Sequence, residues 1–470
     1  MSRAGKGAAG AVQARTKPEL RVAFRTFGCK TNQYDTERMR QEIEARGGRA
    51  VPPTGPADLV VVNTCTVTNQ ADAEARRYVR RVGRNTPGVP ILVVGCSAAL
   101  RGRDYRAMPE VAGVVAGHDP MEVAGAAGRL GRPLVQLGFR GALERMDQEP
   151  VGAEVLLRRE GASRGWLKVQ DGCDRRCSFC ATRLARGRSR SRPADDVLAE
   201  AHALSRTHPE LVITGIHIGH YGRDLQPAAT LSMLVARLLD EVPGVRFRLG
   251  SIEATEVDDL LLRLLESSGG RLARHLHMPL QSGADPVLRR MRRWHTREAY
   301  RSRALEIAER VGVLGLGADI ITGFPGETEA DHEATRALVE ELPFTYLHVF
   351  PFSPRRGTPA ADARTGRPVP ERVRGERGRE LRLLAEEKGR TYRLARAGSA
   401  ARVVLEGGKG TALTGDYLRV RVRTPRVVPL PGGSGALPAR GPAAPALQEG
   451  RLVRADGDLA IDLSGPAHFN

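Results

Sequence analysis

Three of the six cysteines in this 470-residue chain fall in one short segment, Asp171-Gly-Cys-Asp-Arg-Arg-Cys-Ser-Phe-Cys-Ala, where Cys173, Cys177 and Cys180 have the spacing Cys-x3-Cys-x2-Cys. A loop this short wraps a single metal cluster. A four-iron cluster takes one thiolate per iron, so three thiolates leave one corner open, and an open corner implies chemistry. The amino and carboxylate groups of S-adenosylmethionine can chelate that corner and receive an electron there. Phe179, between the last two thiols, is placed to shield the cluster. The competing explanation is a structural zinc site whose fourth ligand is one of the eleven histidines.

The other three cysteines are far apart in sequence, but each follows a β-type run. Cys29 follows Val22 to Thr26, Cys65 follows Asp58 to Asn63, and Cys96 follows Pro90 to Gly95. With amphipathic helices read at Asp35 to Arg46 and Asp72 to Arg84, this alternation is that of a doubly wound parallel sheet. Parallel strands bring their carboxyl ends together, and ligands of such sheets bind in the crevice outside those ends. Three loops can thus converge on a second cluster, again one thiolate short. Three buried free thiols are the alternative. Six cysteines in so long a chain are too sparse for a disulfide scaffold.

The elements that must position these residues form several domains. Residues 1–19 read as a disordered extension without the apolar centre of a secretory signal. Residues 20–130 form the doubly wound domain. Residues 131–160 read as a linker with a strand at Glu154 to Arg158. Within residues 161–395, strands at Trp166 to Gln170, Glu210 to Thr214, Val245 to Leu249, His275 to Met278, Gly315 to Ile320 and Tyr346 to Phe350 alternate with helices, predicting an open (β/α)6 barrel. A charged helix spans Glu371 to Arg396. Residues 396–465 read as a small all-β domain interrupted by a mobile Pro/Gly/Ala-rich loop over 425–446.

A formal charge of +19 and a pI near 10.5, mostly from arginine, point to a polyanionic partner, nucleic acid above all. An arginine-rich solvated surface would give the same balance. Arg186, Arg188 and Arg190 form a basic stretch suited to holding phosphates. The longest apolar runs are far short of the roughly 20 residues that span a bilayer, so a cytoplasmic protein is expected.

Taken together, Phe27-Gly-Cys-Lys-Thr-Asn-Gln-Tyr-Asp-Thr-Glu37, Asn63-Thr-Cys-Thr-Val-Thr68, Gly95-Cys96 and the Cys173 loop resemble the radical S-adenosylmethionine methylthiotransferases. Similarity continues through Thr214-Gly-Ile-His-Ile-Gly-His-Tyr-Gly222, Gly250-Ser-Ile-Glu253, His277-Met-Pro-Leu-Gln-Ser-Gly283, Asp319-Ile-Ile-Thr-Gly-Phe-Pro-Gly-Glu327 and His348 to Pro359. The wording of the first two motifs is similar to the branch acting on N6-threonylcarbamoyladenosine beside the tRNA anticodon.

The resemblance implies two 4Fe-4S clusters, on Cys173, Cys177 and Cys180 and on Cys29, Cys65 and Cys96. It implies S-adenosylmethionine near Phe179, Thr214, Gly215, His217, Ser251, Glu253 and Gln281, and a small-protein electron donor. A 5′-deoxyadenosyl radical would take hydrogen from adenine C2, and the second cluster would hold or supply the sulfur. The last domain, with Thr414-Gly-Asp-Tyr-Leu-Arg-Val-Arg421, is similar to the TRAM-like RNA-binding barrel of these enzymes. Tyr417 and Arg419 would contact the anticodon loop, although Tyr417 could equally be core. The chain departs from the family pattern in Ser-Ala-Ala after Cys96, in Ala-Thr-Arg after Cys180 and in Ala254 after Glu253. Two rival functions share these residues: methylthiolation of a ribosomal-protein aspartate, and a non-enzymatic cluster protein that binds RNA or senses redox state.

Overall fold

The structure, a computed structural model, describes residues 19–129, 155–159, 161–406, 410–423, 447–455 and 457–463. The expected N-terminal extension, most of the linker and the 425–446 loop lie outside the described residues.

Strands β1 (Arg21–Thr26), β2 (Arg49–Val51), β3 (Leu59–Thr64), β4 (Ile91–Gly95) and β5 (Val111–Val114) make one parallel sheet in the order β2-β1-β3-β4-β5. Every residue of β3 is buried, as befits a central strand covered on both faces. Its alternate side chains serve two cores. Leu59 and Val61 pack with Met39, Ile43 and Val123 of helices Lys30–Ala45 and Pro120–Ala127. Val60 and Val62 pack with Ala75, Val79, Ala98 and Tyr105 of helices Asn69–Asn85 and Cys96–Arg106. The sheet is therefore doubly wound. Strand order reverses between β1 and β3, and Cys29 and Cys65 follow those two strands, the position at which such sheets bind ligands. The first helix begins at Lys30, five residues earlier than its periodicity suggests, because Cys29 already serves as its N-cap residue.

The central domain holds β6 (Arg164–Lys168), the short pair β7 (Gln170–Asp171) and β8 (Arg190–Ser191), then β9 (Glu210–Thr214), β10 (Arg246–Leu249), β11 (His275–His277), β12 (Gly315–Thr322) and β13 (Tyr346–Pro351). Six parallel strands occur where the sequence placed them, arranged as two three-stranded sheets, β10-β9-β6 and β11-β12-β13. Single bridges, Ser251 to His277 and Phe247 to Leu272, join them. Residues 155–159 carry no strand, contrary to expectation; the Leu156 N–H is instead taken by the Glu200 carboxylate at 2.9 Å.

Strands β14 (Ala400–Glu406), β15 (Thr411–Thr414), β16 (Arg419–Arg423), β17 (Gln448–Ala455) and β18 (Asp458–Asp462) close into a barrel in the order β14-β15-β16-β18-β17, around Val403, Val420, Leu452 and Ile461. Arg246 and Arg248, two residues apart and so on one face of β10, dock it. They donate to the carbonyls of Arg402, Leu413, Gly415 and Thr414 at 2.8 to 3.2 Å. Among the described residues no helix is long and apolar enough to cross a membrane.

Candidate active site between two cysteine triads

The N-terminal triad gathers around Asn32. Its amide donates to the carbonyls of Phe27 and Thr64, each at 2.9 Å, which ties the ends of β1 and β3 together. The side-chain oxygen then faces the thiols of Cys29 and Cys96, at 3.9 and 3.7 Å. Cys65 receives the Val67 N–H at 3.3 Å. Gly28 adopts φ +101°, and a Cβ there would sit 2.5 Å from the Cys65 sulfur. Burial, reinforced by Cys96 and Cys29, pushes the Cys65 thiol up to about 12. At Cys96 burial opposes ionisation, but Arg186 and His118, the latter 3.4 Å from the sulfur, outweigh it and pull the thiol down.

The second triad sits at the mouth of the barrel. Cys173 lies 3.5 Å from His217 Nδ1, and Cys177 receives Arg293 Nη1 at 3.8 Å. Arg293 is also paired with Glu253, and it stacks on Trp294, whose ring Arg175 covers too. Burial pushes Cys173 up to about 12 and raises Cys177. All six thiols are free of disulfides.

Among the described residues, the ligand groups lying within 4.8 Å of one another are His217 with His220 and Glu256, and His277 with Asp319 and His348. The cysteine triads are spread more widely than that. A single zinc ion, about 2.3 Å from each sulfur, would draw them closer, whereas a multi-iron cluster needs the room. N–H donors aimed at Cys65 and Cys177 suit thiolates, and the two triads fit the group that the cysteine spacing implies.

Arg186 links the two sites. It is 1% exposed, and its Nη1 meets the Asp171 carboxylate at 2.8 and 3.0 Å, two residues before Cys173. Its Nη2 reaches Asp35 at 2.7 Å and Asn32 Oδ1 at 2.6 Å. Lys168 completes the group, 2.8 Å from Asp35 and 2.6 Å from Asp171. Burial works against both carboxylates, yet these cations, led by Lys168 at Asp35 and by Arg186 at Asp171, hold both below their ordinary values, Asp171 strongly so.

Several polar side chains of the central strands pair with one another. Arg164, Arg246 and Arg248 converge on Glu210 at 3.6, 2.6 and 2.9 Å. Although burial opposes it, Arg248 and Arg246 bring Glu210 down to about 2. Opposite, the Tyr346 hydroxyl lies 2.8 Å from His275 Nε2 and 3.1 Å from His277 Nδ1. The Asp319 carboxylate takes His277 Nε2 at 3.1 Å and His348 Nδ1 at 3.2 Å. Lys30 follows Cys29; burial, with Arg164 and Arg248 nearby, lowers its ammonium to about 8.

The residues singled out in the sequence are not all where they were expected. Thr214 ends β9 and Gly215 follows it, where an added Cβ would meet the Gln170 carbonyl at 2.8 Å. Ser251 is exposed at the rim, Glu253 is held by Arg293, and Gln281 is buried at φ +69°. His217 has both ring nitrogens engaged, by Cys173 and by Glu256 at 2.8 Å, so it braces the cysteine loop. Phe179 packs edge-on to Phe324. Arg188 is exposed and Arg190 partly so, whereas Arg186 is an internal strut and has no face left for phosphate. Tyr417 stacks on His275 with ring centres 4.2 Å apart and lies under Arg248. Arg419 is exposed and paired with Glu406 at 2.7 Å. Asn32, Arg293, Lys30, Asp319 and His348 were given no role in the sequence, although four of the five lie inside quoted motifs.

Comparison with known proteins bears on the same two regions. Residues 21–117 match the family described as "Uncharacterized protein family UPF0004", and residues 167–339 match the radical SAM superfamily. A threonylcarbamoyladenosine tRNA methylthiotransferase of Bacillus subtilis is 37% identical over 374 residues, 79% of this chain and 81% of its own. Its Thermotoga maritima counterpart is 34% identical, over 82% of this chain and 86% of its own. A tRNA-2-methylthio-N(6)-dimethylallyladenosine synthase of Thiobacillus denitrificans is 33% identical, over 82% and 87%. Among solved structures, the radical S-adenosylmethionine methyltransferase TsrM of Kitasatospora setae, with cobalamin and a 4Fe-4S cluster bound, has a TM-score of 0.54 at 16% identity, covering 73% of this chain and 74% of its own. That likeness shows the fold alone.

Fold and site define a radical S-adenosylmethionine enzyme. More narrowly, the chain belongs to the methylthiotransferase family, whose cofactors are S-adenosylmethionine and 4Fe-4S clusters.

Proposed function

We propose that this enzyme places a methylthio group on C2 of N6-threonylcarbamoyladenosine beside the anticodon of a tRNA, in the cytoplasm. The observation that carries this choice within the family is the inner face of the barrel. Arg164, Glu210, Arg248, His275, His277, Asp319, Tyr346 and His348 line it with charge and hydrogen-bonding groups. A threonylcarbamoyl group brings a carboxylate, a hydroxyl and amides that can hydrogen-bond in a polar setting, whereas a dimethylallyl substituent is apolar.

In this reading Cys173, Cys177 and Cys180 hold one cluster, and Cys29, Cys65 and Cys96 hold the other. When bound, these groups and S-adenosylmethionine supply the 5′-deoxyadenosyl radical and the sulfur. The chain supplies position. Asn32 and Arg186 fix one triad against the other, while Val67 N–H and Arg293 stabilise thiolates by donating to sulfur. Thr214, Gly215, Ser251, Glu253 and Gln281 form the rim at which the cofactor is held. An anticodon-loop adenosine is already unpaired, which lowers the cost of bringing its base into the barrel. Arg188, Arg190 and Arg419 hold neighbouring phosphates, and the C-terminal barrel acts as a TRAM-like RNA-binding module; a small protein donates the electrons.

Nucleoside mass spectrometry of tRNA from a strain lacking the gene tests the substrate. Loss of 2-methylthio-N6-threonylcarbamoyladenosine is the expected result, and an unchanged level sinks the proposal. A chain serving only as a redox sensor would release no 5′-deoxyadenosine when reduced with S-adenosylmethionine.

A further inference from the structure

Three neighbouring strands of the central domain bring two imidazoles and a carboxylate together. The register pairs His277 of β11 with Gly317 of β12, Gly317 with Tyr346 of β13, and Asp319 with His348. Residues two apart share a face of a sheet, so His275 and His277, Gly317 and Asp319, and Tyr346 and His348 stand on one face. Gly317 makes room there, since a Cβ added to it would run into the Tyr346 ring. His277 Nε2 and His348 Nδ1 meet the same Asp319 oxygen, at 3.1 and 3.2 Å, and the three ligand atoms lie within 4.8 Å of one another.

These spacings differ from those of other histidine–carboxylate pairs in the chain. His217 Nε2 lies 2.8 Å from Glu256, and His332 Nε2 lies 2.7 Å from Glu380, the separations of hydrogen bonds to an ionised carboxylate. Two ligands of one tetrahedral zinc ion, each about 2.0–2.2 Å from the metal, stand about 3.4 Å apart. Asp319 is also left to the imidazoles. Glu210, Asp171 and Glu253 are each paired with arginine, whereas among the described residues no arginine or lysine pairs with Asp319, in a chain that has 73 of them.

The far nitrogen of His277 is held as well. Its Nδ1 lies 3.1 Å from the Tyr346 hydroxyl, which lies 2.8 Å from His275 Nε2. Metal-bound histidines are oriented in this way, by a hydrogen-bond partner on the nitrogen that faces away from the ion. The other group of this kind, His217, His220 and Glu256, is already engaged by Cys173 and Arg175.

We infer that His277, Asp319 and His348 bind a zinc ion through His277 Nε2, His348 Nδ1 and one Asp319 oxygen. Three protein ligands leave the fourth position open to water or to an oxygen anion of a bound molecule, as in catalytic rather than structural zinc sites. His348 is exposed, which gives the ion a way in. The donors are nitrogen and oxygen, and none of the six thiols belongs to the group, so the ion is separate from the iron of the cysteine triads. The site does not depend on which adenosine the enzyme modifies.

The test uses the full-length protein with both clusters reconstituted anaerobically, equilibrated with zinc chloride, freed of loose metal on a desalting column, and assayed for zinc and iron by mass spectrometry. The wild type is expected to retain about one zinc ion per chain with its iron undiminished. His348→Ala, at an exposed position, should keep wild-type iron and bind zinc at least roughly tenfold more weakly. Tyr346→Phe keeps all three ligands and removes only the hydroxyl behind His277; losing such a support costs about 10–100-fold in metal affinity. Zinc-edge X-ray absorption of the wild type should show nitrogen and oxygen neighbours at about 2.0–2.2 Å and no sulfur at about 2.3 Å. A wild type that retains no zinc overturns the inference, and so does a zinc affinity that His348→Ala leaves unchanged. A sulfur shell does the same by placing the zinc in a cysteine triad.

Discussion

Arg186 Nη2 donates to Asn32 Oδ1 at 2.6 Å across the boundary between the N-terminal and central domains, and that oxygen also faces the thiols of Cys29 and Cys96. One side chain of the barrel domain thereby orders the surroundings of the other domain's cysteines. The arrangement explains why so expensive a group is buried. The guanidinium fork meets Asp171, Asp35 and Asn32 at once, a geometry that an ammonium cannot reproduce.

Arg186→Ala leaves Asp35 and Asp171 with Lys168 as their remaining close cation. Breaking a buried ion pair by removing one partner costs about 3–5 kcal/mol. The expected outcome is a lower midpoint for the first thermal transition together with loss of iron from the N-terminal triad. Arg186→Lys should recover part of the stability. Calorimetry and iron analysis check both, and a midpoint equal to wild type would show that the strut holds nothing.

Gly28→Ala places a methyl group 2.5 Å from the Cys65 sulfur at a φ of +101°. The strain exceeds the roughly 1 kcal/mol that separates glycine from alanine at an ordinary position, and the sulfur must move. With two clusters per chain, reconstituted Gly28→Ala should hold about half the wild-type iron, and that half should still cleave S-adenosylmethionine. Full iron content would falsify the assignment of Cys65 as a ligand.

The Cys173 loop as a sequence motif and the parallel strands were legible because their signals are local. A Cys-x3-Cys-x2-Cys spacing and a run such as Leu59 to Val62 need no partner to be recognised. Arg186 was misplaced for the opposite reason. Within the stretch from Arg183 to Arg192, burial of one arginine is decided by Asp35, 151 positions away, and nothing in the local pattern separates it from exposed Arg188. His277, Asp319 and His348 lie on three strands and become a group only through register, so no spacing announces them. His217 shows a further limit: its motif marked the right loop, but only the fold reveals that Cys173 and Glu256 use both nitrogens.

Stability should fall on mild acidification, through two histidines. Burial, then the Arg159 guanidinium, pushes His208 down to about 4; burial, then Arg293, does the same to His295. His208 Nε2 accepts the Arg159 N–H at 3.0 Å, a bond that the neutral ring makes. In the unfolded chain both rings titrate near 6.5. Between pH 6.5 and 4 the unfolded state therefore binds more protons than the folded one. The stability contributed by the neutral rings is complete above about pH 6.5 and lost as pH falls toward 4. The urea midpoint should drop from pH 7.5 to pH 5, and His208→Gln, which keeps an acceptor for Arg159, should make that drop shallower. An identical drop in the variant would exclude His208 as a source.

The last prediction concerns how the C-terminal barrel is held. Its 414–417 turn presses on the start of β12, where a Cβ added at Gly315 would lie 2.2 Å from the Asp416 carbonyl oxygen. Both partners are backbone, so neither can swing aside, and an inserted methyl of this kind costs about 1–3 kcal/mol. The same turn carries Tyr417, whose ring stacks on His275 and lies under the Arg248 guanidinium. Gly315→Ala should therefore loosen the domain without unfolding it. Limited proteolysis near residues 396–400 should accelerate, while iron on Cys173, Cys177 and Cys180 stays at the wild-type level. Tyr417→Ala removes the ring contacts but introduces no clash, and should loosen the domain less. If Tyr417 instead served as a free stacking platform for RNA, its removal would weaken tRNA binding and leave the cleavage rate unchanged, so the two measurements on one variant separate a docking tyrosine from an RNA-reading one.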